Sequence, residues 1–239
     1  MKVFPFTIPK SKRDSLILQE DKGKSFYEML HQHKEFQISY IKKGEGTLIV
    51  GDSVNFYSEG DIVVLGENVP HVFRSNISKC DQSHMLTLFF TKSSFGKGLF
   101  EIEELRSLRN FFRNAENGFV VNSHRSSIRS LILEIYSVPK IDRFIKFFQL
   151  LKIINKSKVS SLSSYVSSKK YSDNEGRRMS AVYEFTMNNF QNEIRLDTIA
   201  EQAAMTKNAF CKYFKKRTNK TTTKLLPKNP HSSPTVLKI

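Results

Sequence analysis

FQISYIKKGEGTLIVGDSVNFYSEGDIVVLGENVPHVF, Phe36 to Phe73, is a chain of short apolar runs cut by turn residues. FQISYI, GEGTLIV, GDIVVL and ENVPHVF are rich in β-branched and aromatic residues. HMLTLFF, 84–90, continues the series, and Gly44, Gly46, Gly51, Gly60 and Pro70 punctuate it, with GDSVNFY as a turn. Runs of this length between such residues read as strands. They predict an antiparallel barrel or sandwich over residues 1–95, and we take a barrel as the expected form.

Beyond Phe95 the period changes. Ile102 to Arg113 and Ser126 to Tyr136 repeat apolar residues at helical spacing, and Pro139 separates the second from a third helix, Asp142 to Asn155. The third helix carries Phe144, Ile145, Phe147, Phe148, Leu150, Leu151 and Ile154, more apolar surface than one helix hides beneath a single sheet. Part of it is free to meet a second copy of the chain, and packing on its own barrel fits the spacing equally well. Residues 96–156 are therefore a helical connection and a dimerisation region. Lys156 to Asn174 holds eight serines and little that builds a core, so residues 157–176 read as a linker.

The C-terminal half brings a second pattern, LDTIAEQAAMTKNAFCKYFKK, Leu196 to Lys216. Leu196, Ile199, Ala200 and Ala203 share one helical face, and Asp197 lies where a carboxylate favours the helix N-terminus. The pattern slips at Ala204 and Met205. Thr206 then offers an oxygen to cap a second helix, in which Phe210 and Phe214 lie four apart on one side. Two helices meeting at a tight turn are a helix-turn-helix, with Met205, Phe210 and Phe214 in the wedge and small Ala200 permitting close approach. Met179 to Gln191 supplies a bracing helix through Val182, Phe185, Met187 and Phe190. In such a unit the second helix enters the major groove. Lys207, Asn208, Cys211 and Lys212 then lie at base edges and Lys215, Lys216 and Arg217 at phosphates, with Thr206 completing the DNA-binding set.

Charge supports that placement. The chain of 239 residues carries a formal net charge of +15. Residues 152–239 hold 17 Lys or Arg against 6 Asp or Glu, leaving a net +4 for residues 1–151. A polyanion such as double-stranded DNA suits this distribution, and its binding should weaken steeply with salt. A membrane surface suits it less, because Phe210 and Phe214 are needed inside. Cys80 and Cys211 follow no metal or redox spacing, which implies a reducing compartment. Met1 to Lys10 lacks a signal peptide's apolar run, and no stretch approaches the roughly 20 apolar residues of a membrane helix, so a cytoplasmic protein is expected.

His31, His33 and Gln37 are spaced by even numbers near the start of a strand, so their side chains share a face, and His71 comes from a later strand. Three converging imidazoles can hold a divalent metal if a further donor completes the set. Gln37 is a weaker donor than a carboxylate, and Glu35 shares the strand parity but can equally sit at the rim. A ligand pocket or a hydrogen-bonded core are the competing uses. We assign His31, His33, Gln37 and His71 to an effector pocket, with no metal, cofactor or catalytic residue.

HQHKEFQISYIKKGEGTLIVGDSVNFYSEGDIVVLGENVPHVF, 31–73, resembles the cupin sensor domain of AraC-type transcriptional regulators. EIRLDTIAEQAAMTKNAFCKYFKKRTNK, 193–220, resembles the first helix-turn-helix of their DNA-binding domain, and FFTKSSFGKGLF followed by ELRSLRNFF looks like the connecting region of one cupin-bearing branch. The resemblance covers most of residues 20–220. It implies a cupin that binds a small effector, helices that dimerise, and a C-terminal domain that recognises a promoter, with RNA polymerase open as a further partner. His31, His33 and His71 match the cupin pocket histidines, Gln37 departs from the usual Glu, and Lys207, Asn208, Cys211 and Lys212 match the reading helix.

The end of the chain departs further. The family carries two helix-turn-helix units joined by a long helix, whereas TTTKLLPKNPHSSPTVLKI has three prolines and no sustained helical period. The expectation is a DNA-binding domain cut short after its first unit, through a frameshift or premature ending, with residues 177–220 the incomplete helix-turn-helix domain and 221–239 an irregular tail. The expected fold is α+β: a cupin-like antiparallel β-barrel with flanking helices, then a small all-α domain. The expected function is an effector-responsive, homodimeric DNA-binding regulator that is not an enzyme. The alternatives are a metal-dependent cupin enzyme with a basic tail, and a truncated regulator that dimerises without specific DNA binding.

Overall fold

The computed structural model describes residues 4–5, 7–8, 14–51, 53–163, 178, 181–182, 185 and 195–218. The strands are β1 (Phe4–Pro5), β2 (Ile17–Gly23), β3 (His31–Gln32), β4 (Phe36–Lys43), β5 (Gly46–Val50), β6 (Ser53–Tyr57), β7 (Ile62–Leu65), β8 (His71–Ser75), β9 (Ser83–Phe90), β10 (Phe119–Val121) and β11 (Val159–Ser161). They form a five-stranded sheet in the order β1-β3-β8-β5-β6 and a six-stranded sheet in the order β11-β10-β7-β4-β9-β2. Every pairing is antiparallel except β1 with β3.

The expected barrel is corrected here: the two sheets do not close. Consecutive strands such as β4 and β5 turn from one sheet into the other, and each sheet ends on its own edge strands. The six-stranded sheet also recruits strands that periodicity did not mark. β2, ILQEDKG, is too polar to read as a half-buried strand, yet it pairs with β9 over seven residues. β11 lies at the start of the serine-rich stretch and pairs with β10. Residues 164–177 of that stretch, most of Met179 to Gln191, and the tail at 221–239 lie outside the described residues.

Side-chain alternation sorts the apolar residues into layers. On β7, Val63 and Leu65 point between the sheets, where Ile41, Leu48, Val50, Tyr57, Phe73 and Met85 join them. Ile62 and Val64 point the other way, onto a phenylalanine-rich layer beneath three helices, α1 (Arg109–Ala115), α2 (Arg125–Ser137) and α3 (Lys140–Lys156). Phe90 packs edge-on against Phe147 at 4.8 Å, and the Tyr136 hydroxyl reaches the carbonyls of Gln19 and Thr87 at 2.7 and 2.8 Å. These contacts fasten α2 and α3 to β2 and β9. The helix predicted over Ile102 to Arg113 is a 3-10 helix at Glu103–Leu108 that continues as α1.

The outer face of the five-stranded sheet is covered as well. Ile49, Val54 and Val72, one each from β5, β6 and β8, form one buried cluster with Leu30 and with Val182, Ile199, Ala200, Ala203, Phe210 and Phe214. The C-terminal helices therefore pack on the sandwich. Gly46 serves the same sheet, because a Cβ there would lie 2.0 Å from the Arg74 carbonyl oxygen across the β5–β8 pairing.

Candidate functional site

His31 and His71 are paired across β3 and β8 in the five-stranded sheet. Gln37 lies on β4 of the other sheet, and His33 in the bend between β3 and β4. The single strand expected for His31, His33 and Gln37 is thus two strands separated by a bend. All four side chains still converge, because the chain crosses from one sheet to the other at that point and both inner faces look onto the same space. The ring centroids of His31 and His71 are 4.3 Å apart, and those of His33 and His71 5.0 Å. One nitrogen from each of the three histidines lies within 4.8 Å of the others.

The tautomers follow from the partners. A backbone carbonyl only accepts, so His31 Nδ1 donates to Met29 O at 2.8 Å, His33 Nδ1 to Glu35 O at 3.0 Å, and His71 Nδ1 to Val69 O at 2.8 Å. His31 and His71 therefore carry their lone pair on Nε2, whereas His33 meets an oxygen at each ring nitrogen. His33 Nε2 meets Gln37 Oε1 at 3.0 Å, while Gln37 Nε2 donates to Ser39 Oγ, which contacts Thr87 Oγ1. His71 is 1% exposed, and among the described residues its Nε2 has no hydrogen-bond partner. A polar atom buried in that state costs free energy unless something occupies it.

Burial sets the charge. It pulls the His31 pKa from 6.5 down to about 4, with the Met29 hydrogen bond opposing and His33 adding to the fall. Burial also lowers His33 and takes His71 well below the usual range, where His31 and His33 push it further. At neutral pH the cluster is three neutral imidazoles. Glu35 does not join it; its carboxylate lies 3.8 Å from His33 Nδ1, the nitrogen already turned to the backbone. The cavity beside the cluster has a volume of about 50 Å³, with Phe26, Tyr27, Phe73, Met85 and Phe89 among its walls. Asp21 also lines it, both carboxylate oxygens accepting from Gln19 Nε2 at 2.9 and 3.0 Å. Burial raises the Asp21 pKa.

Three buried imidazoles that bring one ring nitrogen each within 4.8 Å of the others are a donor set that fits a divalent transition metal, and His71 Nε2 is the atom such an ion would satisfy. Ser39, Thr87 and Asp21 were not among the expected site residues. Ser39 shares the even spacing of His33 and Gln37, which was a legible signal; Thr87 and Asp21 arrive only through strand pairing.

The second assembly is the helix pair, α4 (Leu196–Gln202) and α5 (Lys207–Thr218). Ala204 has φ of 51°, and Met205 N bonds Ala200 O across the turn, which ends α4 abruptly. Thr206 Oγ1 accepts from the Ala209 N–H at 3.4 Å, the capping contact expected of it. Phe210 and Phe214 are fully buried, their rings 5.7 Å apart. Thr206, Lys207, Asn208, Lys212 and Lys215 are exposed and Cys211 is half-buried. Lys207 pairs with Asp197 of α4 at 3.3 Å. The side chain of Lys216 lies outside the described residues.

Residues 18–88 match the family model for the cupin domain. No curated protein matches the chain. Among solved structures, a cupin 2 conserved barrel domain protein from Rhodopseudomonas palustris is 20% identical over 35% of this chain, with a TM-score of 0.29. The AraC-like transcriptional activator CuxR is 10% identical over 76% of this chain, with a TM-score of 0.40. ToxT from Vibrio cholerae O395 is 12% identical over 90% of this chain and 99% of its own length, with a TM-score of 0.41. This chain spans 57% of the Rhodopseudomonas protein and 61% of CuxR.

Proposed function

We propose that this chain is a DNA-binding transcriptional regulator, homodimeric and cytoplasmic, whose cupin sandwich senses a small effector and whose C-terminal helix pair reads double-stranded DNA. One observation carries it: α5 buries Phe210 and Phe214 completely while Thr206, Lys207, Asn208, Lys212 and Lys215 stand together in solvent. A helix held rigidly by its apolar side with a cationic and amide-bearing side outward is what major-groove reading needs. Lys207, Asn208, Cys211 and Lys212 would face bases and Lys215 and Lys216 phosphates, with Thr206 fixing the helix start. The Lys207–Asp197 pair is half exposed on both sides and so costs little to release.

Effector and DNA are linked if the effector favours one packing of the helices on the five-stranded sheet and DNA favours the same or the other. Gel shift with the upstream region of its own gene tests the reading. Binding that survives excess competitor DNA at moderate salt supports it, and binding that competitor and salt both erase overturns it.

A further inference from the structure

We propose that the cavity between the two sheets takes a small primary ammonium ion, held by the Asp21 carboxylate and by His71 Nε2 among the rings of Phe26, Phe73 and Phe89. The inference names the chemical class of the effector proposed above and rests on that reading.

Asp21 stands on β2 of the six-stranded sheet and His71 on β8 of the five-stranded sheet, and both line the one cavity. The Asp21 carboxylate is half-buried. Among the described residues its hydrogen bonds come from Gln19 Nε2 alone, at 2.9 and 3.0 Å, and no lysine or arginine pairs with it. A carboxylate offers about four lone-pair sites, so Gln19 leaves Asp21 able to accept more. A charge withdrawn from water without a counter-ion costs free energy, and a bound cation relieves that cost.

His71 adds a second acceptor. Its Nδ1 donates to Val69 O, so Nε2 presents a lone pair to which, among the described residues, nothing donates. A primary ammonium has three N–H groups and can serve both acceptors at once, whereas a quaternary ammonium has none to give.

The walls select for the same charge. Phe26, Phe73 and Phe89 line the cavity, and aromatic ring faces attract cations. Among the described residues no lysine or arginine lines it. A carboxylate or phosphate ligand would therefore lie beside Asp21 without a counter-charge, and in so apolar a site that repulsion is strong. The volume of about 50 Å³ is a few times the roughly 10–15 Å³ that holds one water. About three or four heavy atoms fill such a space, which is the size of ethylammonium.

The His71 lone pair is also the one a metal would take, so the test uses full-length protein freed of metal with EDTA. Ethylammonium chloride is titrated at neutral pH and followed by amide chemical shifts, with acetate and tetramethylammonium as comparison probes. Ethylammonium should saturate one site per chain, and each of the other two should bind about tenfold or more weakly. Asp21→Asn keeps an acceptor for Gln19 and removes the charge. It should weaken ethylammonium by about tenfold or more while circular dichroism stays that of the parent. No saturable binding by the parent, acetate binding as tightly as ethylammonium, or undiminished affinity in a folded Asp21→Asn variant overturns the inference. If that variant does not fold, the parent's preference for ethylammonium over acetate decides alone. Equal binding of tetramethylammonium overturns the hydrogen bond to His71. Protein that binds its upstream DNA selectively but takes no ethylammonium sinks this inference and leaves the regulator reading standing; ethylammonium-binding protein without selective DNA binding does the reverse.

Discussion

His71 concentrates the chemistry of the sandwich in one side chain: Nδ1 tied to Val69 O, Nε2 unpartnered, and a ring wedged against His31 and His33. Because burial holds the cluster neutral, metal-free protein should lose stability in acid. The His31 pKa is about 4 in the fold and near 6.5 when exposed, so the unfolded chain binds the proton first as pH falls. Its contribution is complete above about pH 6.5 and lost progressively towards pH 4, on the order of 3 kcal/mol for this residue. Urea midpoints of EDTA-treated protein between pH 7.5 and 4.5 measure it, and a flat profile would contradict the neutral cluster. At the other end of the chain, Lys212→Ala should relax sequence preference by about 1 to 3 kcal/mol if the lysine contacts a base, read by competition gel shift. An equal loss on every sequence would move Lys212 to the phosphates.

Elements were legible where one period dominates and obscure where two compete. β4, β5, β7, β8 and β9 sit where the apolar runs predict, and α2 and α3 flank Pro139 as expected. β2 was not legible, because Asp21, Lys22 and the flanking polar residues mask a strand whose place is secured by pairing with β9. The turn between α4 and α5 is readable in hindsight as a left-handed residue: Ala204 has φ of 51°, where a Cβ is unfavourable. Ala204→Gly should therefore raise stability by up to about 1 kcal/mol, measured by thermal melting with Lys212 and its neighbours untouched. On α3 the apolar residues divide. Phe147, Leu150, Leu151 and Ile154 are buried under the chain's own sheet, whereas Ile141 and Ile145 are 67% and 51% exposed. If that stripe meets a second copy, Ile145→Lys should shift the protein to monomer in light scattering, and an unchanged mass would place the dimer contact elsewhere.

At the scale of the whole molecule, three apolar layers alternate with two sheets, and the outermost joins the helix pair to the sandwich through Ile49, Val54 and Val72. His71 faces the metal-fitting pocket and Val72, the next residue along β8, faces the C-terminal helices. Val54→Asp places a charge in that interface and should release the helices, enlarging the radius of gyration in X-ray scattering while the sandwich keeps its melting transition. An unaltered radius would mean that other contacts hold the two parts together. The amino-acid sequence by itself determined the local items: strand runs from period-two burial, helices from period 3.6, the cap at Thr206, and which faces are apolar or cationic. Each of those depends on neighbours within a few residues. Only the tertiary structure decided that the sheets stay open rather than closing, that the serine-rich stretch contributes a strand, and that His31, His33 and Gln37 meet from two sheets instead of one strand. Those outcomes depend on hydrogen bonds and packing between residues tens of positions apart, where no local period carries the information.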